Sequence, residues 1–259
     1  MGVKGLFQFL KRFEKEVSIP DFVQNKSVGL DIFWFIHKSK GDIFTFKQLL
    51  LPIISNSNKV YCVFDGKASP EKKLQNTGQW QMRQELLKTI EHIEDFMRNP
   101  FTILRNEDRN TIYSYLHELK RKAWLPSPEY IDQIKNWLTS KGCIIYQADG
   151  EADDLIVALE KDNIVDIIIT NDSDILTLGA NIIVRLRTPI TGGLLNKSDI
   201  SKNIGFTLTQ WNDFMYLCSH MKECDILLAF SLISVYKELE YVLHKSYLLF
   251  QDYLIKELV

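Results

Sequence analysis

The stretch YQADGEADDLIVALEKDNIVDIIITNDSDIL, residues 146–176, places carboxylates beside two short apolar runs. Glu151 and Asp153 follow the run that contains CIIY. Asp172 and Asp174 follow the run DIII. Carboxylates that lie close together repel one another, and burying an unpaired one is costly unless a cation lies between them. The pattern therefore raises the question of a metal site.

Apolar runs and helical patterns alternate along most of the chain. Runs rich in Val and Ile are typical of strands covered on both faces. Their alternation with amphipathic helices predicts an α/β fold with a central, mainly parallel sheet. Beyond Gly205 the chain contains no glycine and is predicted to be helical to Val259. The predicted strands are SVGLD at 27–31, then 59–67, 142–148, 165–170 and 181–187, and the helical patterns cover about 44–55, 80–98, 108–121, 128–141 and 151–161.

The composition is that of a globular protein with enough length for a hydrophobic core. The chain has 259 residues, of which 46% are hydrophobic and 25% charged, and its formal net charge is −2. This charge balance shows no overall basic bias toward nucleic acid. Four scattered cysteines without a CxxC spacing favour reduced thiols in an intracellular protein over a disulfide framework or a zinc site. Neither a secretory signal nor a membrane span is expected.

Asp31 and Asp65 also follow predicted strands directly. In an open parallel sheet, the carboxyl ends of the strands are where a site is built. Oxygen ligands with few nearby histidines or cysteines favour Mg²⁺ or Mn²⁺. So many carboxylates suit two ions about 4 Å apart, the arrangement used for phosphodiester hydrolysis. The alternative is structural, because acids favour the first turn of a helix and NDSD can be a solvated turn. Spacing alone leaves both interpretations open.

Five motifs occur in a fixed order along the chain: MGVKGL, VGLDIFWFIH, VFDGKASPEKK, GEADDL and TNDSDIL. Together they resemble the N and I regions of the flap endonuclease/XPG family of structure-specific nucleases, with a looser similarity to XRN-type 5′ exoribonucleases. The resemblance runs from Met1 to about Asp225. It implies a PIN-like 5′ nuclease core, in agreement with the α/β pattern, and two Mg²⁺ ions for which Mn²⁺ can substitute.

The resemblance also assigns the metal ligands by motif. Asp225, in MKECDIL, is the nearest candidate for a seventh ligand, although the glycine that precedes it in the family is missing here. Asp154 lies outside the acidic pattern and is expected to be an ordinary helix residue. Lys72 is the candidate for the family's catalytic lysine. One ion would be held by Asp31, Asp65, Glu151 and Asp153, and the other by Asp172 and Asp174.

Contacts with the substrate are implied in the same way. Gly2 matches the N-terminal glycine beside the active site, and His37 matches the position of a ring that stacks on the terminal base. Lys67, Lys73 and Arg83 are the candidate cations for the phosphates near the cleaved bond.

Two larger segments complete the comparison with the family. Residues 68–122 correspond to a helical arch or gateway for the single-stranded 5′ end, and they lead into the basic cluster KRKAW. Residues 205–259 form a helical C-terminal region within a single nuclease domain. Here Ser, Leu and Ile stand where the family's duplex-binding turn has glycines, and a side chain obstructs the close approach of backbone to phosphate. The family's usual grip on duplex is therefore not expected, and no sliding-clamp peptide is recognisable.

The resemblance predicts a metal-dependent nuclease acting near 5′ flaps or 5′ ends of DNA in replication, repair or recombination. An RNA-directed 5′ nuclease and a catalytically silent binding scaffold are the alternatives, and retention of the core carboxylates argues against the scaffold. The expected location is intracellular, either nuclear or at a site of DNA replication, or a cytoplasmic factory if the chain is one of the divergent, compact proteins of large DNA viruses.

Overall fold

The strands at the centre of the molecule are apolar on both faces. In the strand Ile167–Ile169 all three side chains are buried. Ile168 packs into one hydrophobic cluster, whereas Ile167 and Ile169 pack into a second cluster on the opposite face. Helices therefore cover both faces of the sheet. The structure is a computed structural model that describes residues 3, 5–67, 70–99, 105–220 and 225–243, without the side chains of 70–76 and 79.

Seven strands form one sheet in the described part of the chain. They are β1 (Lys15–Ser18), β2 (Ser27–Asp31), β3 (Lys59–Phe64), β4 (Ile144–Gln147), β5 (Ile167–Ile169), β6 (Ile182–Thr188) and β7 (Thr191–Asn196). Their order in the sheet is β1-β7-β6-β5-β2-β3-β4. Neighbouring strands from β6 to β4 pair in parallel, whereas β7 pairs antiparallel with both β6 and β1.

The described helices cover the sheet and extend from it. They are α1 (Leu6–Leu10), α2 (Ile19–Phe22), α3 (Ile32–Ser39), α4 (Ile43–Ile54), α5 (Pro70–Arg98), α6 (Asn106–Ala123), α7 (Pro128–Ser140), α8 (Ala152–Lys161), α9 (Asp174–Thr177), α10 (Lys197–Ile204), α11 (Leu208–His220) and α12 (Ile226–Tyr236). One face of the sheet packs against α8, α11 and α12, and the other packs against α3, α4 and α7. Among the described residues, none of these helices has both the length and the apolar character needed to cross a bilayer.

The predicted α/β fold with a mainly parallel sheet and flanking helices is confirmed, and all five predicted strands are present. Two further strands, β1 and β7, were not predicted. The side chains of β1 are mostly exposed and charged, and β7 contains Gly192 and Gly193, which weaken a strand pattern. The second glycine has a packing role, because a Cβ there would lie 2.8 Å from the carboxyl group of Glu14.

The segment predicted as an arch contains the long helices α5 and α6. Its own hydrophobic cluster is small and includes Ile90 and Leu116. Helix α5 begins at Pro70, well before the predicted start near residue 80. Lys120, from the basic cluster, forms an ion pair with Glu94 across the two helices at 2.5 Å. Part of the cluster's charge is thus used within the helix pair.

Candidate active site

The ends of β2 and β3 bring Asp31 and Asp65 to one edge of the sheet. Asp31 is the last residue of β2 and lies beside Val63 in the parallel register. Its Oδ1 accepts a hydrogen bond from the Phe33 N–H at 3.0 Å, so it caps α3. Asp65 Oδ1 accepts from the Ala152 N–H at 2.8 Å, at the start of α8. Both carboxylates are therefore held at helix N-termini, where the helix dipole favours negative charge.

A close approach of two loops connects Asp65 with the acids of α8. The Gly66 N–H donates to the Gly150 carbonyl at 2.6 Å, and the Lys67 N–H donates to the Asp149 carbonyl at 3.2 Å. A Cβ on Gly66 would lie 2.1 Å from the Ala148 carbonyl oxygen. Only glycine allows the two loops to meet at this distance.

We expect Gly66→Ala to destabilise the protein by about 2 kcal/mol, because the added methyl group overlaps backbone atoms and forces the loops apart. The same separation moves Asp65 away from α8, so cleavage should also fall. Chemical denaturation measures the first effect. Gly150→Ala, in the same loop pair, is the matched control for stability, since a Cβ there meets no described atom within 4 Å. Equal stability of the two variants would contradict the loop contact.

Asp172 and Asp174 lie in a tight turn after β5. The Asp172 N–H donates to Thr170 Oγ1 at 3.0 Å, and the Asp174 N–H donates to Asp172 Oδ1 at 3.0 Å. Asn171 Nδ2 donates to the Leu186 carbonyl at 2.9 Å, which ties the turn to β6. Both carboxylates are half-buried. The turn is therefore organised against the sheet, unlike the freely solvated turn of the structural alternative.

The electrostatics show that the carboxylates from different strands come together. Burial raises the pKa of Asp153 to about 8, and Asp31, Asp172, Asp65 and Asp174 raise it further through charge repulsion, in that order. The pKa of Asp31 rises to about 7, first through burial and then through Asp65. Hydrogen bonds from the α3 backbone lower this pKa, and the charge of Asp172 raises it slightly. Five acids of the predicted ligand set thus share one electrostatic site.

A divalent cation fits this group. Asp153 Oδ1 is a buried acceptor without a hydrogen-bond partner in the described part of the structure, and such an orphaned oxygen is costly unless a cation or donor meets it. Burial, followed by Asp172, also raises the pKa of Asp174. Within the described residues, no three His, Cys, Asp or Glu side chains have the spacing of a preformed metal site. This spacing is explained by the mutual repulsion of carboxylates that have no cation between them.

A cavity of about 670 Å³ opens beside Asp174. Its wall includes Asp154, an exposed residue of α8, and the last turn of α11 with His220, which the sequence analysis did not relate to the acids. Asp154 directly follows Asp153, but no sequence signal relates α11 to the acidic turn. The cavity is lined by Val3, Glu151, Asp153, Asp154, Asp174, Thr177, Leu178, Cys218, Ser219 and His220.

Comparison with known proteins agrees with this geometry. Residues 142–225 match the XPG I-region, which includes four of the predicted acidic ligands and Asp225. Flap endonuclease 1 of Entamoeba dispar is 28% identical over 279 aligned positions, covering 94% of this chain and 69% of that protein. Exonuclease 1 of Xenopus laevis is 26% identical over 254 positions, covering 88% of this chain and 31% of that protein. The chain is therefore similar to the flap endonuclease/XPG family, both in the matched I-region and in these two nucleases.

The fold of this chain is also found in solved structures of nucleases. The catalytic core of Rad2 in complex with DNA substrate superposes with a TM-score of 0.60 at 16% identity, covering 92% of this chain and 69% of that one. At this identity the likeness concerns the fold, and it confirms the predicted PIN-like core. The chain spans less than a third of the length of the Xenopus exonuclease.

The structure describes only some of the predicted substrate-binding residues. Gly2 lies outside the described residues, as do the side chains of Lys72 and Lys73 on α5. Lys67 is exposed beside the Asp65 loop. Arg83 Nε donates to the Ala123 carbonyl at 2.8 Å and so ties α5 to the end of α6. The roles of these residues in substrate binding remain predictions.

The structure describes the contacts of two further predicted site residues, His37 and Asp225. The His37 ring is exposed but contacts Phe33 and, edge to face, Trp124, with ring centroids 6.4 Å apart in the second pair. Partial burial lowers the pKa of His37, and Lys40 lowers it further. Asp225 Oδ1 accepts from the Leu228 N–H at 2.8 Å and caps α12. Its role as a seventh metal ligand stays a prediction.

Proposed function

We propose that this chain is a metal-dependent, structure-specific nuclease that hydrolyses phosphodiester bonds near 5′ flaps or 5′ ends of DNA. The observation that carries the proposal is that the ends of β2, β3 and β5 place four acids close enough to the buried Asp153 to raise its pKa by charge repulsion. The names of the relatives, flap endonuclease 1 and exonuclease 1, and the DNA substrate bound to the Rad2 core support the choice of substrate. The corresponding cellular role is in DNA replication, repair or recombination. The proposed location is a place where DNA is replicated.

Two divalent ions, Mg²⁺ or in its place Mn²⁺, are the proposed cofactors. When bound, they lower the pKa of the attacking water and stabilise the charge that builds on the phosphate. The chain contributes oxygen ligands that its helix N-termini and the loop contact at Gly66 hold in place. Asp31 and Asp153 keep protons near neutral pH without metal, so ion binding displaces protons from them. Asp31, Asp65, Glu151 and Asp153 would hold one ion, and Asp172, Asp174 and Asp225 the other.

The proposed contacts with the substrate lie around this edge of the sheet. Lys67, Lys72, Lys73 and Arg83 would bind phosphates near the cleaved bond, with Lys72 closest to the chemistry. The His37 ring, already set against Trp124, would stack on the terminal base, a contact worth about 1–3 kcal/mol. Residues 68–122 would receive the single-stranded 5′ end.

The proposal is tested with labelled 5′-flap, nicked, gapped and single-stranded substrates, each made of DNA and of RNA, with Mg²⁺ and with chelator. We expect Mg²⁺-dependent cleavage of the DNA flap or of DNA from a 5′ end. Because the usual duplex-binding turn is replaced, the rate should depend weakly on the length of the downstream duplex. Robust cleavage of RNA without cleavage of DNA would replace the proposal with the RNA-directed alternative. A sharp loss of activity below about one helical turn of duplex, roughly 10 base pairs, would contradict the expected weak grip.

A further inference from the structure

The last turn of α11 places an imidazole on the wall of the carboxylate-lined cavity. His220, the final residue of α11, lines this cavity together with Glu151, Asp153 and Asp174. Helix α11 is fixed by Trp211 and other fully buried side chains, and it packs against α9, which begins at Asp174. The hydrophobic core therefore sets the position of the end of α11, from which the imidazole extends, relative to the acidic turn.

One tautomer of His220 leaves a lone pair on Nε2. Nδ1 lies 3.2 Å from the Tyr216 carbonyl oxygen and 2.7 Å from Ser219 Oγ. A carbonyl only accepts, so Nδ1 carries the hydrogen in this bond. Ser219 Oγ donates its own hydrogen to the same carbonyl at 3.2 Å, which leaves its lone pairs to accept from Nδ1. In this tautomer Nε2 carries the lone pair.

Histidine ligands of metals are commonly held in this way, with the second ring nitrogen donating to a backbone carbonyl. The ring of His220 is further oriented by stacking on Tyr216, with centroids 4.2 Å apart and planes 11° from parallel. A neutral nitrogen donor and several carboxylates thus face the same cavity.

We propose that His220 Nε2 is a ligand to the divalent ion held by Asp172 and Asp174. The inference rests on the proposed metal-dependent function and adds a nitrogen donor to an otherwise all-oxygen site. Imidazole suits transition metals, whereas Mg²⁺ strongly prefers oxygen. His220 therefore makes this ion position favour Mn²⁺ over Mg²⁺. Asp225 caps the next helix and is the competing candidate for the same position.

The test adds Mn²⁺ to the full chain after other metals have been removed. Pulsed electron paramagnetic resonance then detects nitrogen nuclei coordinated to the ion. We expect a ¹⁴N coupling in the wild type that disappears in His220→Gln and remains in His37→Gln, in His117→Gln on α6 and in Asp225→Asn. Labelling the wild-type protein with ¹⁵N-histidine should convert the signal to that of ¹⁵N, which tests the assignment without any substitution. Mn²⁺ affinity should fall about tenfold in His220→Gln, with a much smaller change for Mg²⁺.

The outcomes separate this inference from the function on which it rests. Mn²⁺ bound without ¹⁴N coupling, or with a coupling unchanged in His220→Gln, overturns the His220 assignment and leaves the nuclease proposal standing. Failure of Mn²⁺ to bind, or binding unchanged in Asp172→Ala, overturns both the metal site and the His220 assignment. Circular dichroism of His220→Gln checks that the exposed helix end has not lost its fold.

Discussion

Asp172→Ala should lower the rate of cleavage at saturating Mg²⁺ by at least a factor of about 10³. Metal-bound charge stabilisation is worth several kcal/mol in the transition state, and each 1.36 kcal/mol corresponds to about tenfold in rate. Asp172 lies in the turn that positions Asp174 and it repels both Asp153 and Asp31. Its loss would remove a proposed ligand while relieving repulsion, so the metal-free protein should unfold at the same temperature or higher.

The matched control is Asp162→Ala, an exposed acid after the C-terminal end of α8. Both variants are compared in cleavage rate and in thermal unfolding without metal. Wild-type turnover in a purified, folded Asp172→Ala protein would rule out the proposed site. A large loss of activity accompanied by unfolding would assign Asp172 to the fold and not to the chemistry.

The metal-free protein should become less stable as the pH rises from about 4 to 8. The folded-state pKa values of Asp31 and Asp153, about 7 and about 8, lie above their ordinary value of 3.8. The folded state therefore binds more protons than the unfolded state in this range, and stability falls with each proton released. Below the ordinary value both groups are protonated in both states and the stability is fully present. Between the two limits we expect a loss on the order of 4 kcal/mol from Asp31 alone, to which Asp153 adds.

Asp153→Asn should flatten this pH dependence, because the amide keeps the size of the side chain without its charge. Denaturation in the presence of a chelator at pH 5, 6, 7 and 8 measures the effect, and Asp162→Asn, just after the C-terminal end of the same helix, is the control. Mg²⁺ at pH 8 should restore stability to the wild type and much less to Asp153→Asn. Stability of the metal-free wild type that rises between pH 5 and 8 would contradict the buried, mutually repelling arrangement.

The position of the acids at the edge of the sheet could be predicted from local patterns. Runs such as DIII are buried because they are apolar on both faces. The acids that directly follow these strands must then lie at the carboxyl edge of the sheet. The register of β2 between β3 and β5, with Asp31 beside Val63, realises that expectation. Strand β7, which contains two glycines, was not predicted. Its extended conformation depends on pairing with its antiparallel neighbours and not on a pattern in its own side chains.

The sequence by itself determined the central parallel sheet and the acids at its edge, since hydrophobic periodicity and strand ends are local properties of the chain. Only the tertiary structure decided how strongly these acids interact, because the pKa of Asp153 depends on burial and on four acids from other parts of the chain. The same holds for Gly66, whose importance lies in a 2.1 Å approach to a distant loop, and for His220, which reaches the acidic cavity only because the core holds α11 against α9. Contacts between segments far apart in the chain follow from three-dimensional packing, which no local pattern specifies.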